Sequence, residues 1–183
     1  GGITLLNDLA EILLTKEEIE KKVAELGEKI SEDYKDKNLL LVGILKGCVV
    51  FMSDLMKHIT IPARIDFMSV SSYGAGVKSS GVVKIIKDLD NPIQGYDVLI
   101  VEDILDSGLT LHYIIDLLKS RNPNSIRICT LLDKPYSRKV EVKTDYCGFE
   151  IPDKFVIGYG LDYAEKYRNL PFVGVLKPEI YEK

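Results

Sequence analysis

Apolar residues recur along the chain with two periods, and the switches between them divide it into elements. Over residues 16–35, Ile19, Val23, Leu26 and Ile30 fall three or four positions apart, the spacing of one helix face. Thr15-Lys16-Glu17-Glu18 ahead of them has the T-x-x-E form of a capping box, which marks a helix start. Residues 38–44 (NLLLVGI) are almost wholly apolar, as a strand buried on both faces is, and 48–58 read as a helix again. Residues 64–72 and 82–87 predict two strands, the second closed by a turn at Asp90-Asn91-Pro92. Between them 73–81 (YGAGVKSSG) is small, polar and glycine-rich, and predicts a mobile loop. Residues 97–101 predict another apolar strand with 102–110 as its exit loop, and Leu111, Ile114, Ile115 and Leu118 mark a following helix. A third buried strand is predicted at 126–132, a basic turn at 134–139, and short strands at 154–158 and 171–176.

Strands alternating with helices imply an α/β fold, a largely parallel twisted sheet flanked by helices. In such sheets ligands bind beyond the carboxyl ends of the strands, so the loops after Ile44 and Val101 are where chemistry is expected. No repeat, low-complexity tract or linker interrupts the 183 residues, and the whole of 1–183 reads as one domain.

Composition narrows the classes. With 46% hydrophobic and 28% charged residues the chain has enough apolar matter for a core. A net charge of -4 argues against a surface built to neutralise nucleic-acid phosphates. Cys48, Cys129 and Cys147 are widely spaced and predict reduced, packed thiols in place of a disulfide framework or a zinc site. No secretory signal pattern and no apolar run of membrane-crossing length is seen, so the expectation is a soluble, cytoplasmic protein with no membrane or nucleic-acid partner.

Residues 98–110 (VLIVEDILDSGLT) combine three features in register. A buried strand ends in adjacent carboxylates, Glu102 and Asp103; a third acid, Asp106, follows; then Ser107, Gly108, Leu109 and Thr110 lead into a helix. Free amides at a helix start favour an anion, and carboxylates accept hydrogen bonds from hydroxyls, so the string suits a sugar phosphate.

This segment resembles the phosphoribosyl-pyrophosphate motif of the type I phosphoribosyltransferases. With Leu45-Lys46-Gly47, Ser72-Tyr73-Gly74, Leu132-Asp133-Lys134 and residues 151–170 in the same order, the chain is similar to the hypoxanthine (hypoxanthine-guanine) phosphoribosyltransferases in their short bacterial form. The resemblance implies purine salvage. A 5-phosphoribosyl group would pass from phosphoribosyl pyrophosphate to hypoxanthine or guanine, giving IMP or GMP plus pyrophosphate, with Mg2+ as cofactor and a homodimer or homotetramer as the assembly. It implies a small hood from the N-terminal segment and about 150–183, and a loop with Ser72 and Tyr73 that closes over the site.

By the same resemblance Glu102 and Asp103 would both meet the ribose hydroxyls, and since regular strand alternation would send neighbouring side chains apart, the backbone would have to leave regular geometry there. Asp106 would be catalytic, handling the proton at N7 of the purine. Asp106, Ser107, Gly108, Leu109 and Thr110 would hold the 5′-phosphate; Leu109 stands where some relatives have lysine, leaving amides and hydroxyls to do so. Leu45, Lys46, Gly47 and Arg168 would bind pyrophosphate, and the peptide before Lys46 can be cis in the family. Lys134, Phe155, Val156, Leu161 and Asp162 would surround the base, with Phe155 stacking on it. Glu102, Asp103 and Asp162 would hold the metal. Lys134, with donors and no acceptor, would favour a 6-oxo over a 6-amino group.

Three other readings compete. The same scaffold could serve another base, xanthine or adenine; Lys134 opposes adenine, and xanthine stays open as a minor substrate. A phosphoribosyltransferase-fold regulator that binds nucleic acid would want a basic face, which the charge opposes. A phosphatase is suggested by the D-x-D form of Asp88-Leu89-Asp90, but the Asn-Pro that follows makes a turn the better reading.

Overall fold

The computed structural model describes residues 4–72 and 83–182. Its elements in order are α1 (Thr4–Asn7), β1 (Leu9–Leu14), α2 (Lys16–Asp33), β2 (Leu39–Leu45), α3 (Val49–Met56), β3 (Ala63–Ser72), β4 (Val83–Lys87), β5 (Asp97–Leu105), α4 (Leu109–Lys119), β6 (Ser125–Asp133), β7 (Tyr146–Glu150), β8 (Val156–Ile157), β9 (Val173–Leu176) and α5 (Pro178–Tyr181). A six-stranded sheet runs in the order β4-β3-β2-β5-β6-β7, parallel throughout except for the edge pair β3-β4. This bears out the largely parallel α/β architecture.

The sheet is covered on both sides, and the alternation along its strands shows how. Leu39, Leu41, Leu99, Val101, Cys129 and Leu131 face Ile19, Val23 and Ile30 of α2 and Phe51 and Leu55 of α3. Leu40, Val42, Val98, Ile100 and Ile128 face Leu111, Ile114 and Leu118 of α4. Each such fully buried side chain is worth about 1.5–3 kcal/mol, so β2, β5 and β6 fix the platform from which the loops rise. The capping box forms as expected: Thr15 Oγ1 accepts from the Glu18 amide and Glu18 Oε1 from the Thr15 amide, each at 3.1 Å.

A second, three-stranded sheet (β1-β9-β8, antiparallel) joins the first strand to the last, over a cluster of Ile157, Tyr167, Leu170 and Leu176. Strands β1 and β7 escape the apolar pattern: half of β1 is exposed, and β7 is an edge strand with its middle half-buried.

Strand β5 runs four residues further than the pattern predicts, so Glu102 and Asp103 lie in the strand and not in an exit loop. Pairing with β6 (Glu102↔Thr130, Ile104↔Leu132) continues past the acids. Asp103 alone drops out of the paired register between Asp97 and Leu105. The side chains turn back to the backbone, Glu102 Oε1 accepting from the Asp103 amide at 3.2 Å and Asp103 Oδ1 from the Ile104 amide at 2.7 Å.

Cys48 and Cys129 are buried and all three cysteines are free. Burial pushes the Cys48 thiol up to about 12 and the Cys147 thiol up to about 11, so neither is poised to react. Asp88 accepts from both Arg121 nitrogens (2.8 and 2.7 Å), and the Asp90 amide donates to Asp66 at 2.9 Å. These carboxylates tie the β4–β5 turn together, against the phosphatase reading. Tyr73 and the rest of the 73–81 loop lie outside the described residues, as does the side chain of Ser72.

Candidate active site

The carboxyl ends of β2, β5 and β6 carry two clefts that share a wall. The first, about 290 Å3, runs along residues 102–108 to the start of α4, with Ile44, Leu45 and Val70 opposite. The second, about 310 Å3, is lined by Lys134, Phe155, Val156, Leu161 and Asp162. Asp103, Ile104 and Asp106 line both. Asp106 is exposed at this seam, between an amide-rich cradle on one side and an aromatic slot on the other.

The cradle comes from how the chain enters α4. Gly108 is the N-cap residue with φ of 83, a backbone that L side chains rarely adopt, and it offers no side-chain cap to the helix. Ser107 Oγ accepts only a long 3.3 Å bond from the Leu109 amide. The first-turn amides thus have no partner within the helix and point, with its dipole, at whatever anion enters. Ser107, Gly108 and Thr110 line the cleft; Leu109 does not.

Arg138, which the sequence pattern did not single out, braces this loop. Its Nη1 donates to the Asp106 carbonyl at 2.8 Å and its Nη2 to Asp133 at 2.6 Å, while the Lys139 amide donates to the Ser107 carbonyl at 2.8 Å. Arg138 and Asp133 are nearly buried, at 17% and 7% exposure, so the ion pair is a fixed strut. The signal for it was a basic turn after β6, which reads equally well as solvated charge.

Glu102 and Asp103 crowd each other. Burial, then repulsion from Asp103, holds the Glu102 carboxyl well above its ordinary range, and burial raises Asp103 as well. Two half-desolvated acids side by side attract a cation or hydroxyl donors.

Lys46, Gly47 and Arg168 line neither cleft and form a neighbouring cluster. The Leu45-Lys46 peptide is cis. A Cβ on Gly47 would overlap the Asp103 carboxylate, and one on Gly160 would overlap the Gly47 carbonyl, so the loop after β2 is wedged between β5 and the segment before Asp162. Arg168 Nη1 donates to the Gly160 carbonyl at 2.6 Å and its Nη2 lies 3.5 Å from Asp162. Tyr159 donates to Asp54 on α3 at 2.5 Å, tying the same segment to the platform. Lys46 Nζ donates to Glu165 at 3.1 Å, and the adjacent ammonium, with Arg168 beside it, holds the Glu165 carboxyl below its usual range. The sequence reading gave Glu165 no part.

In the slot, the Lys134 side chain is 11% exposed with its ammonium 4.0 Å from Asp153. That is a poor match for three donors, and an oxygen from a ligand would improve it. One face of Phe155 stacks on Tyr181 (4.5 Å between centroids, 20° between planes), with Tyr163 edge-on at 5.7 Å.

The chain has relatives among known proteins. A family model for the phosphoribosyl transferase domain matches residues 10–164. The chain belongs to the phosphoribosyltransferase family. It is 57% identical over 176 residues to the hypoxanthine-guanine phosphoribosyltransferase of Bacillus subtilis, covering 96% of this chain and 98% of that one. It is 52% identical over 183 residues to the bifunctional protein TilS/HprT of Listeria monocytogenes, spanning all of this chain and 28% of that longer protein. Among solved structures, a hypoxanthine phosphoribosyltransferase from Staphylococcus aureus superposes with a TM-score of 0.96 at 55% identity, covering 98% of each chain. Within the phosphoribosyltransferase frame the cradle lies at the crossover from β5 to α4, where a parallel sheet directs its ligands. No helix among the described residues is long and apolar enough to cross a membrane.

Proposed function

We propose that this chain transfers the 5-phosphoribosyl group of phosphoribosyl pyrophosphate to hypoxanthine or guanine, releasing pyrophosphate and forming IMP or GMP. The observation that carries the reading is the shared wall: a phosphate cradle and a base slot meet at Asp103, Ile104 and Asp106, where a ribose would bridge them. In this reading Ser107, Gly108, Thr110 and the α4 amides, Leu109 among them, hold the 5′-phosphate, while Glu102 and Asp103 orient the ribose hydroxyls. Phe155 stacks on the base, backed by Tyr181; Val156 and Leu161 complete the slot. Lys134 donates to the 6-oxo group, and a 6-amino group would leave its ammonium unpaired. Xanthine shares that oxygen and is expected as a weaker substrate.

The reaction is a displacement at the anomeric carbon through an oxocarbenium-like transition state. The bond to pyrophosphate breaks as the bond to the base nitrogen forms, and the base gives up a proton, which Asp106 accepts at N7. Lys46 and Arg168 meet the charge that builds on the departing pyrophosphate.

Magnesium fits this donor set. Among the described residues no group of three or more ligating side chains forms a cage, and paired carboxylates are what a hydrated ion sharing substrate oxygens requires. Glu102 and Asp103 would hold it, and when bound it would neutralise charge on the pyrophosphate; Asp162, the third acid expected there, is engaged with the Glu165 amide and Arg168 and does not close a cage with them. The family resemblance further suggests a cytoplasmic homodimer or homotetramer, to be measured by light scattering.

One plate tests the activity. Protein, magnesium and phosphoribosyl pyrophosphate are mixed with hypoxanthine, guanine, xanthine or adenine, and mononucleotide formation is followed. Turnover of adenine ahead of hypoxanthine, or of no base at all, would overturn the reading.

A further inference from the structure

Both cations of the pyrophosphate cluster converge on one carboxylate. Lys46 Nζ donates to Glu165 Oε2 at 3.1 Å, and Arg168 Nη2 lies 3.5 Å from Glu165 Oε1. Each oxygen of Glu165 thus meets a different cation, as two oxygens of a phosphate would.

The backbone that delivers this carboxylate is specific. Tyr163 and Lys166 exchange both backbone hydrogen bonds, at 3.1 and 3.0 Å, around a two-residue loop. Its central residues, Ala164 and Glu165, both have left-handed backbones, with φ of 53 and 65. Loops of this kind favour asparagine and glycine, and a glutamate there is accepted at some conformational cost. Asp162 Oδ2 accepts from the Glu165 amide at 2.9 Å and fixes the loop, while its other oxygen lies 3.5 Å from Arg168. The Glu165 and Lys46 side chains are 62% and 67% exposed. Ion pairs that face water are weak and easily exchanged, so another anion can displace Glu165 from Lys46, while Arg168, 24% exposed and anchored on the Gly160 carbonyl, stays in place to receive it.

We propose that Glu165 is a built-in competitor for pyrophosphate. Its carboxylate occupies the Lys46 ammonium and the Arg168 guanidinium and gives them up when the diphosphate end of the substrate, or pyrophosphate itself, binds. The proposal rests on the reading of Lys46 and Arg168 as the pyrophosphate grip. Its consequence is weaker hold on a highly charged product, which speeds release, a step that often limits turnover.

The test is calorimetric titration of inorganic pyrophosphate, in magnesium buffer, into the unaltered chain, Glu165→Gln and Lys46→Ala. Glu165→Gln removes the charge and keeps the shape, and should bind pyrophosphate about 3- to 10-fold more tightly, with the gain shrinking as salt is raised. In steady state pyrophosphate should become a correspondingly stronger product inhibitor, with the KM for the base unmoved. A merely structural Glu165 would give weaker pyrophosphate binding or no change, and either result overturns the proposal. Lys46→Ala should bind pyrophosphate more weakly. If it does so while Glu165→Gln shows no gain, competition by Glu165 is ruled out and the grip stands. If Lys46→Ala binds pyrophosphate as the unaltered chain does, the grip itself is wrong, and the proposal falls with it.

Discussion

The phosphate cleft draws nine of its twelve lining residues from one run, 102–111, whereas the base slot draws five of its eight from residues 134, 155, 156, 161 and 162. The first is built mostly from one stretch, a strand end, a glycine with left-handed backbone and a helix start, with a distant brace from Arg138. The second is assembled, its parts held in place by contacts distant in sequence, such as Tyr159 with Asp54 and Phe155 with Tyr181. Backbone amides can hold any phosphate but distinguish little. Side chains brought from separate segments can distinguish one base from another, at the cost of depending on the whole fold.

This contrast can be tested where the two clefts join and then on each side. The largest effect is expected at the seam: Asp106→Asn should lower kcat by about 10²- to 10⁴-fold with little change in the KM for phosphoribosyl pyrophosphate. Steady-state kinetics checks it, and equal kcat in both proteins would remove Asp106 from proton transfer. On the assembled side, Lys134→Met should lower kcat/KM for hypoxanthine by about 10- to 150-fold, the worth of a hydrogen bond to a charged group. The KM for phosphoribosyl pyrophosphate should hold. On the local side, Arg138→Lys keeps a charge beside Asp133 but cannot also reach the Asp106 carbonyl as the guanidinium fork does. It should raise the KM for phosphoribosyl pyrophosphate about 3- to 10-fold and spare that of the base. Were the two variants to affect both substrates alike, the clefts would not be separable.

The smallest effect concerns stability. Burial and Asp103 raise the Glu102 carboxyl above its ordinary 4.5, so the folded chain keeps a proton that the unfolded chain releases. Stability is therefore full below that value and falls as pH rises toward the raised one. Glu102→Gln should leave Tm unchanged near about pH 4 and raise it by roughly 2–4 °C near about pH 8, as calorimetry would show. A lower Tm for the variant at the higher pH would mean that the acids are not crowded.

Much of the platform was legible because burial writes itself into periodicity. The β2 run, the α2 capping box and the α4 face each lie within one to two residues of where the apolar pattern puts them. The end of β5 is not legible in the sequence because charged residues look like a loop, and a strand can run on past them when each carboxylate accepts from the amide of the next residue. Arg138 and Glu165 escaped notice for a related reason. A surface arginine or glutamate carries no periodic signal, and its role appears only when its partners, 32 residues away for Asp106 and 119 for Lys46, are set beside it.

The sequence by itself determined the parallel α/β platform and the acid-then-cradle string, since burial patterns and helix starts are settled by neighbours a few residues apart. Only the tertiary structure decided that Asp103, Ile104 and Asp106 face two clefts at once, that Gly47 is wedged between Asp103 and Gly160, and that one carboxylate spans Lys46 and Arg168. Such contacts depend on the packing of β2 and β5 against the 158–168 segment, and no local property of the chain records that distance.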